Sequence, residues 1–162
     1  MLRMLVALDG SEGSRHAAVH AARLARGEGI AEVHLLNVQE PPVHYGVMGA
    51  YVPAAVLEQL QTEAGDRALR QAEKLLTRVK VPFRRHLRIG PVASTIAETA
   101  EELGCNAIVM GTRGMTAAAN LVLGSIPTKV LHLTSIPVTL VPAGSGGARR
   151  RGSPRRASRR GR

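Results

Sequence analysis

Residues 2–38 read LRMLVALDGSEGSRHAAVHAARLARGEGIAEVHLLNV, and this stretch decides the fold class. Leu2–Leu8 is a short apolar run that predicts a buried strand, and it ends at Asp9-Gly10-Ser11. Ser14–Ala25 is rich in Ala and carries apolar residues at helical spacing, and Ala31–Val38 is a second apolar run. The order strand, helix, strand indicates two parallel strands joined by a helical crossover.

The chain continues this alternation up to residue 142. After a loop predicted at residues 40–52, the predicted elements are a long amphipathic helix from Pro53 to about Val81, a strand at Phe83–Ile89, a helix from Val92 to Leu103, a strand at Cys105–Met110, a helix at Ser125–Leu133 and a strand at Pro137–Val141. Five strands separated by four helices predict an α/β fold, a doubly wound five-stranded parallel sheet with helices on both faces. We expect the strand order 3-2-1-4-5. Ligands of such sheets bind outside the carboxyl ends of the strands, where the order reverses.

The net charge of +10 is concentrated at one end of the chain. Residues 143–162 hold eight Arg and no acidic residue, and the remaining residues carry 14 basic and 12 acidic side chains. The tail has almost nothing apolar to bury, so we expect it to be disordered. The sequence therefore predicts one near-neutral domain at 1–142 and an Arg-rich tail at 143–162.

The cysteine count and the apolar runs bear on compartment. Cys105 is the only cysteine, so no intramolecular disulfide forms and a reducing cytoplasm is the expected location. The apolar runs are far shorter than the roughly 20 residues that a spanning helix requires. The sequence predicts a soluble, cytoplasmic protein without membrane insertion.

The loop after the fourth strand carries an unusual glycine pattern. Gly111-Thr112-Arg113-Gly114 is followed by nine residues and then by Gly124-Ser125 at the head of a helix. Glycines let backbone N–H groups approach a ligand, and a helix start favours anions, so the pattern describes a phosphate cradle. The alternative is that these residues only end a strand, form a loop and cap a helix. The two common nucleotide fingerprints, the P-loop and G-x-G-x-x-G, are absent.

The loop after the first strand carries a carboxylate, Asp9. A carboxylate would repel a phosphate, so Asp9 suits a ribose hydroxyl, a base amino group or a metal at the other end of a nucleotide. The alternative is that Asp9 caps the first helix or anchors a turn. With strands one and four as neighbours, Asp9 and Gly111 would flank one crevice.

These motifs resemble the universal stress protein family. Gly111-x2-Gly114-x9-Gly124-Ser125, Val6–Ser11 and Leu35–Val38 carry the resemblance, which covers about residues 1–142. It implies a stress-response protein, commonly a homodimer, that binds ATP with Mg²⁺. It also implies that adenine nucleotide contacts come from Asp9 at the ribose or adenine, from Val38 and Met110 at the adenine, and from Gly111, Arg113, Gly114, Gly124, Ser125, Ile126 and Thr128 at the phosphates. Val38 and Met110 end buried strands, so a core role remains the alternative for both.

One residue departs from the family pattern. Pro127 stands two positions after Ser125, where ATP-binding relatives usually have Ser or Thr, and it supplies neither a hydroxyl nor a backbone N–H. Either Pro127 is the first helical residue and Thr128 replaces the hydroxyl, or the helix start shifts and phosphate affinity drops. We expect ATP to bind more weakly than in relatives that keep the hydroxyl.

The sequence gives little support for catalysis or metal binding. No Ser, His and Asp set can be assigned, and His16 and His20 have a metal-compatible spacing but lack a third ligand. We therefore expect a nucleotide-dependent binding switch with at most slow ATP hydrolysis. The alternatives are a stress protein that binds no nucleotide and a nucleic-acid-associated protein that acts through its basic tail. The apolar edge strand at 137–141 predicts a homodimer through this strand.

Overall fold

The computed structural model describes residues 2–27, 30–41, 53–112, 114 and 123–143. Within them the chain forms, in order, β1 (Leu2–Ala7), α1 (Glu12–Gly27), β2 (Ile30–Gln39), α2 (Ala54–Arg78), β3 (Phe83–Ile89), α3 (Val92–Glu102), β4 (Ala107–Gly111), α4 (Ser125–Leu133) and β5 (Val138–Val141). Most of the loop predicted at 40–52 and nearly all of the tail lie outside the described residues.

The five strands form one parallel sheet in the order β3-β2-β1-β4-β5, so the predicted class and strand order are confirmed. In the centre of the sheet β1 pairs with β4, with Leu5 opposite Ile108 and Val6 opposite Val109. The order reverses between β1 and β4. Their carboxyl ends therefore open onto the crevice where ligands of doubly wound sheets bind.

The core consists of two aliphatic clusters, one on each face of the sheet. Because side chains alternate along a strand, Met4 and Val6 of β1 face α1 and α2, while Leu5 faces α3 and α4. Every side chain of β4 from Ile108 to Met110 is buried, which fits a central strand that is covered on both faces.

Most elements differ from their predicted limits by one to three residues, and for two of them the local reason is visible. Helix α2 ends at Arg78, before the predicted Val81, because Lys80 adopts φ 57 and cannot continue a right-handed helix. Strand β4 begins at Ala107, because Gly104 has φ +61 and the N–H of Cys105 still bonds back to the carbonyl of Ala100. The limits of β3 and α4 match the prediction.

No helix within the described residues is both long enough and apolar enough to cross a bilayer. Cys105 is buried, and burial raises the pKa of its thiol to about 11. At neutral pH it is therefore a protonated packing residue with little thiolate character.

Candidate functional site at the β1–β4 crevice

Asp9 lies beside the second glycine of the glycine-rich loop. A Cβ built on Gly114 would stand only 2.8 Å from Oδ2 of Asp9, so the two residues are in direct proximity although 105 positions separate them. The neighbouring strands β1 and β4 end at the same edge of the sheet and bring the two loops together. The predicted juxtaposition of the acid and the glycine loop is therefore present.

The other carboxylate oxygen of Asp9 holds the turn that starts α1. Asp9 Oδ1 accepts the N–H of Ser11 at 2.9 Å, and Gly10 between them has φ +84. Ser11 then caps the helix, because its hydroxyl oxygen accepts the N–H of Ser14 at 3.1 Å. Asp9 thus anchors a turn with one oxygen and faces Gly114 with the other, so the two interpretations of its role are compatible.

The close packing of α1 on β4 requires a glycine at position 111. A Cβ at this position would stand 2.8 Å from the carbonyl carbon of Gly13 and 3.1 Å from its Cα. The first turn of α1 therefore lies directly on the end of β4, backbone against backbone. Gly13 was not identified from the sequence, although a glycine in the first turn of a helix is a signal for such a contact.

The ends of the glycine-rich loop are pinned together. The N–H of Gly124 donates to the carbonyl of Thr112 at 2.7 Å, and the N–H of Thr112 donates to the carbonyl of Val141 at 3.0 Å. These bonds place the start of α4 immediately beside the end of β4. Arg113, which was predicted to contact phosphates, lies outside the described residues.

Helix α4 begins at Ser125 without a side-chain cap. Ser125 is exposed, and Pro127 is the third helical residue and is buried, so the alternative in which Pro127 opens the helix is wrong. A proline in the first turn breaks no internal helical hydrogen bond, which is why the helix start is not displaced.

The first turn of α4 has fewer donors for a ligand than a turn without proline. Thr128 uses both its N–H, at 3.2 Å, and its hydroxyl, at 2.9 Å, to donate to the carbonyl of Gly124. Its hydroxyl therefore does not replace the one that Pro127 lacks. The N–H groups of Ser125 and Ile126 are the first-turn donors that the helix itself does not need.

Val38 and Met110 lie in the aliphatic cluster of the α3 and α4 face. Met110 is 4% exposed and Val38 is half-buried. Each lies one residue before the last residue of its strand, but Met110 belongs mainly to the core in this structure. Val38 keeps more accessible surface for a ligand.

Asn37 holds the end of β1 next to the crevice through a side-chain hydrogen bond. It was not assigned this role from the sequence. It is 2% exposed, and its Nδ2 donates to the carbonyl of Leu8 at 2.7 Å, one residue before Asp9. Its Oδ1 accepts from Nε2 of Gln39 at 2.6 Å. A polar residue inside the apolar run Leu35–Val38 was the available signal, since a buried amide needs fixed partners.

The described residues contain no group of three or more His, Cys, Asp and Glu side chains that could hold a metal ion. A small cleft of about 40 Å³ lies between α1 and α2, next to Gly10 and Ser11. Its walls include Arg15, Arg67 and Gln71.

Comparisons with known proteins identify the family. The family model described as "Universal stress protein family" matches residues 1–142. Universal stress protein YxiE of Bacillus subtilis is 32% identical over 145 residues, which cover 86% of this chain and 97% of that protein.

Solved structures share the fold over most of the chain. Hypothetical protein MJ0577 superposes with a TM-score of 0.75 at 25% identity, over 87% of this chain and 95% of that one. A universal stress protein in complex with cAMP gives a TM-score of 0.66 at 21% identity, over 88% and 98% of the two chains. The universal stress protein from Archaeoglobus fulgidus in complex with dAMP gives a TM-score of 0.58 at 22% identity, over 87% of this chain and 98% of that one.

Proposed function

The chain belongs to the universal stress protein family, and we propose that it binds ATP with Mg²⁺ in the β1–β4 crevice as a nucleotide-dependent binding switch of the cytoplasm. Two structural neighbours are complexes with cAMP and dAMP, so adenine nucleotides are ligands of this fold in other proteins. The observation that carries the proposal is the approach of Asp9 Oδ2 to Gly114 beside the uncapped start of α4.

The charges of the crevice suit a nucleotide in one orientation. An acid on one rim accepts hydrogen bonds from ribose hydroxyls, and a helix start on the other rim favours phosphates. We assign Asp9 to the ribose. We assign the backbone N–H groups of Gly114, Ser125 and Ile126, together with the hydroxyl of Ser125, to the phosphates. Arg113 would add a cation to the phosphate end, and bound Mg²⁺ would neutralise phosphate charge.

The remaining predicted contact residues have different roles in the proposed site. Val38 has accessible apolar surface for the adenine, whereas Met110 would support the adenine from the core. Gly111 and Gly124 act by letting backbones approach closely, as their contacts with Gly13 and Thr112 indicate. Thr128 leaves the proposed contact set, because its hydroxyl already donates within the helix.

Calorimetry with ATP tests the proposal, supported by nucleotide analysis of the denatured protein. Ser125→Ala should weaken ATP binding by about tenfold, since a hydrogen bond to a charged group is worth about 1.5–3 kcal/mol. The matched control is Ser135→Ala, which removes an exposed hydroxyl beyond the far end of α4. Absence of ATP binding in the full chain would refute the proposal.

We also propose that the chain forms a homodimer through β5. This strand lies at the edge of the sheet with half-buried side chains, and Leu131 and Leu133 of α4 are exposed nearby in sequence. The carbonyls of Pro137 and Val141 accept bonds from the β4 side, so the alternate residue Val138 directs its N–H outward. Val138→Pro should convert a two-chain species to one of 17.2 kDa in sedimentation. A wild type that sediments as a monomer would contradict the dimer.

The Arg-rich tail supports a second, sequence-independent activity. Eight Arg without an acid or an aromatic residue would neutralise nucleic-acid phosphates in a salt-dependent manner. Truncation after Ala143 should abolish retention on DNA at low salt and leave ATP binding unchanged. Unchanged DNA retention after truncation would refute this activity.

A further inference from the structure

Two histidines from neighbouring strands meet at one end of the sheet. His34 of β2 is 3% exposed, and its Nδ1 lies 3.0 Å from Nε2 of His86 on the edge strand β3. The ring centroids are 5.2 Å apart. In the register of the two strands His86 is opposite Leu36, so the rings meet diagonally on the face that α3 covers. The contact adds a side-chain link to the backbone ladder between β2 and β3.

A fixed carboxylate determines which ring donates. Nε2 of His34 lies 3.4 Å from Oε2 of Glu32, although the approach does not form an aligned hydrogen bond. Glu32 is itself held by Arg84 and lies 3.8 Å from Nε of Arg3. A hydrogen on Nε2 of His34 is favoured by this carboxylate. Nδ1 of His34 is then the acceptor, and Nε2–H of His86 donates to it.

Charges of both signs surround the pair. Arg3 of β1 and Arg84 and Arg88 of β3 act on the two rings, and Glu32 of β2 is the opposing anion. Helix α3 packs on the same face, and none of its buried residues is titratable: Ala93, Ile96, Ala97, Thr99 and Ala100. Burial is the main cause that lowers the pKa of both histidines, with neighbouring positive charge adding to it.

We propose that His34 and His86 form an acid-sensitive contact, here called the clasp. The clasp holds the edge strand β3 to β2 as long as one of the two facing ring nitrogens carries no proton. It opens when both rings are protonated. A doubly protonated pair would direct two N–H groups at each other across 3.0 Å, with like charges in a buried site. The ladder would then lose its side-chain support at the edge strand. This proposal is independent of nucleotide binding.

The direction of the pH effect follows from the lowered pKa values. A histidine in the unfolded chain titrates near 6.5, above the two histidines in the folded chain. Below pH ~6.5 the unfolded chain therefore binds more protons than the folded chain. The stabilisation is complete above that pH and is lost as the pH falls towards the folded pKa values. With two such groups the unfolding constant can rise by up to about a hundredfold per pH unit in that interval.

Urea unfolding of the full chain at pH 7.5 and 5.5 tests the clasp. Between these values the unfolding constant of the wild type should rise more than that of His86→Gln, by up to about tenfold, because Gln keeps a donor but does not titrate. The matched control His132→Gln removes an exposed histidine on α4 and should retain the wild-type response. Equal pH responses of wild type and His86→Gln would overturn the proposal.

A second measurement needs no variant. In the wild type, NMR titration should show both rings titrating below 6.5. Amide hydrogen exchange, corrected for intrinsic rates, should show β3 losing protection on acidification before β4 does. Titration of either ring at or above 6.5, or equal loss of protection in the two strands, would contradict the clasp.

Discussion

Two helices begin at the β1–β4 crevice, and their first turns are built in opposite ways. The start of α1 is satisfied by the protein itself: Ser11 caps it, Asp9 holds its turn and Gly13 packs on Gly111. The start of α4 has no side-chain cap and an exposed Ser125. Both lie at the carboxyl edge of one sheet, where either could have faced a ligand.

The difference separates residues that build the crevice from residues that face a ligand. At the start of α1 the N–H groups of Ser11 and Ser14 already have side-chain acceptors, so changes to these acceptors should act on the free energy of unfolding. Donors at the start of α4 are available, so changes there should act on the affinity for phosphate. The proposed site therefore predicts that the two helix starts respond to substitution in different measurements.

The largest effect is expected where the first turn of α1 lies on the end of β4. Gly111→Val should lower the free energy of unfolding by about 3 kcal/mol, because its Cβ would meet the backbone of Gly13 at 2.8 Å and backbone cannot rotate away. Urea unfolding measures this change.

The control for this substitution is Gly27→Ala, at a helical position where an added Cβ meets nothing within 4 Å. It should be neutral or stabilising by about 0.5–1 kcal/mol, since alanine favours helix. A Gly111→Val protein as stable as wild type would show that α1 does not rest on β4 as described.

The next largest effect is expected on affinity, at the start of α4. Pro127→Ser restores a backbone N–H and a hydroxyl to the first turn, so ATP should bind about tenfold more tightly or better. Pro82→Ser is the control, because Pro82 is exposed and precedes β3 at the opposite edge of the sheet. Calorimetry that gives equal affinities for Pro127→Ser and wild type would refute the cost assigned to Pro127.

The sequence predicted the fold because its evidence is local. Apolar runs and helical spacing identified nine elements, and the limits of β3 and α4 were correct because prolines and glycines bound them. The glycine pattern after β4 located the crevice. The contact of Gly111 with Gly13, however, joins residues 98 positions apart and depends on how α1 lies across the sheet.

Other contacts could not be identified from the sequence, because they depend on tertiary geometry. Asn37 could be assigned a partner only once β1 and β2 were in register, since its amide bonds to the carbonyl of Leu8. The pairing of His34 with His86 required the register of β2 and β3. The hydroxyl of Thr128 could bond either to a ligand or to its own helix, and spacing does not distinguish these two uses; in the structure it donates to the carbonyl of Gly124.

The smallest effects are expected when one serine at each helix start is replaced by alanine. Ser11→Ala removes the oxygen that accepts the N–H of Ser14, and loss of an N-cap costs about 1 kcal/mol of stability. Ser125→Ala removes an exposed hydroxyl that caps nothing, so the free energy of unfolding should change by less than about 0.5 kcal/mol. For ATP affinity the order of the two variants should reverse: Ser125→Ala should bind ATP more weakly than Ser11→Ala does. Two serines that rank alike in both measurements would mean that the two helix starts share one role, because only a division between folding and binding produces the crossed pattern.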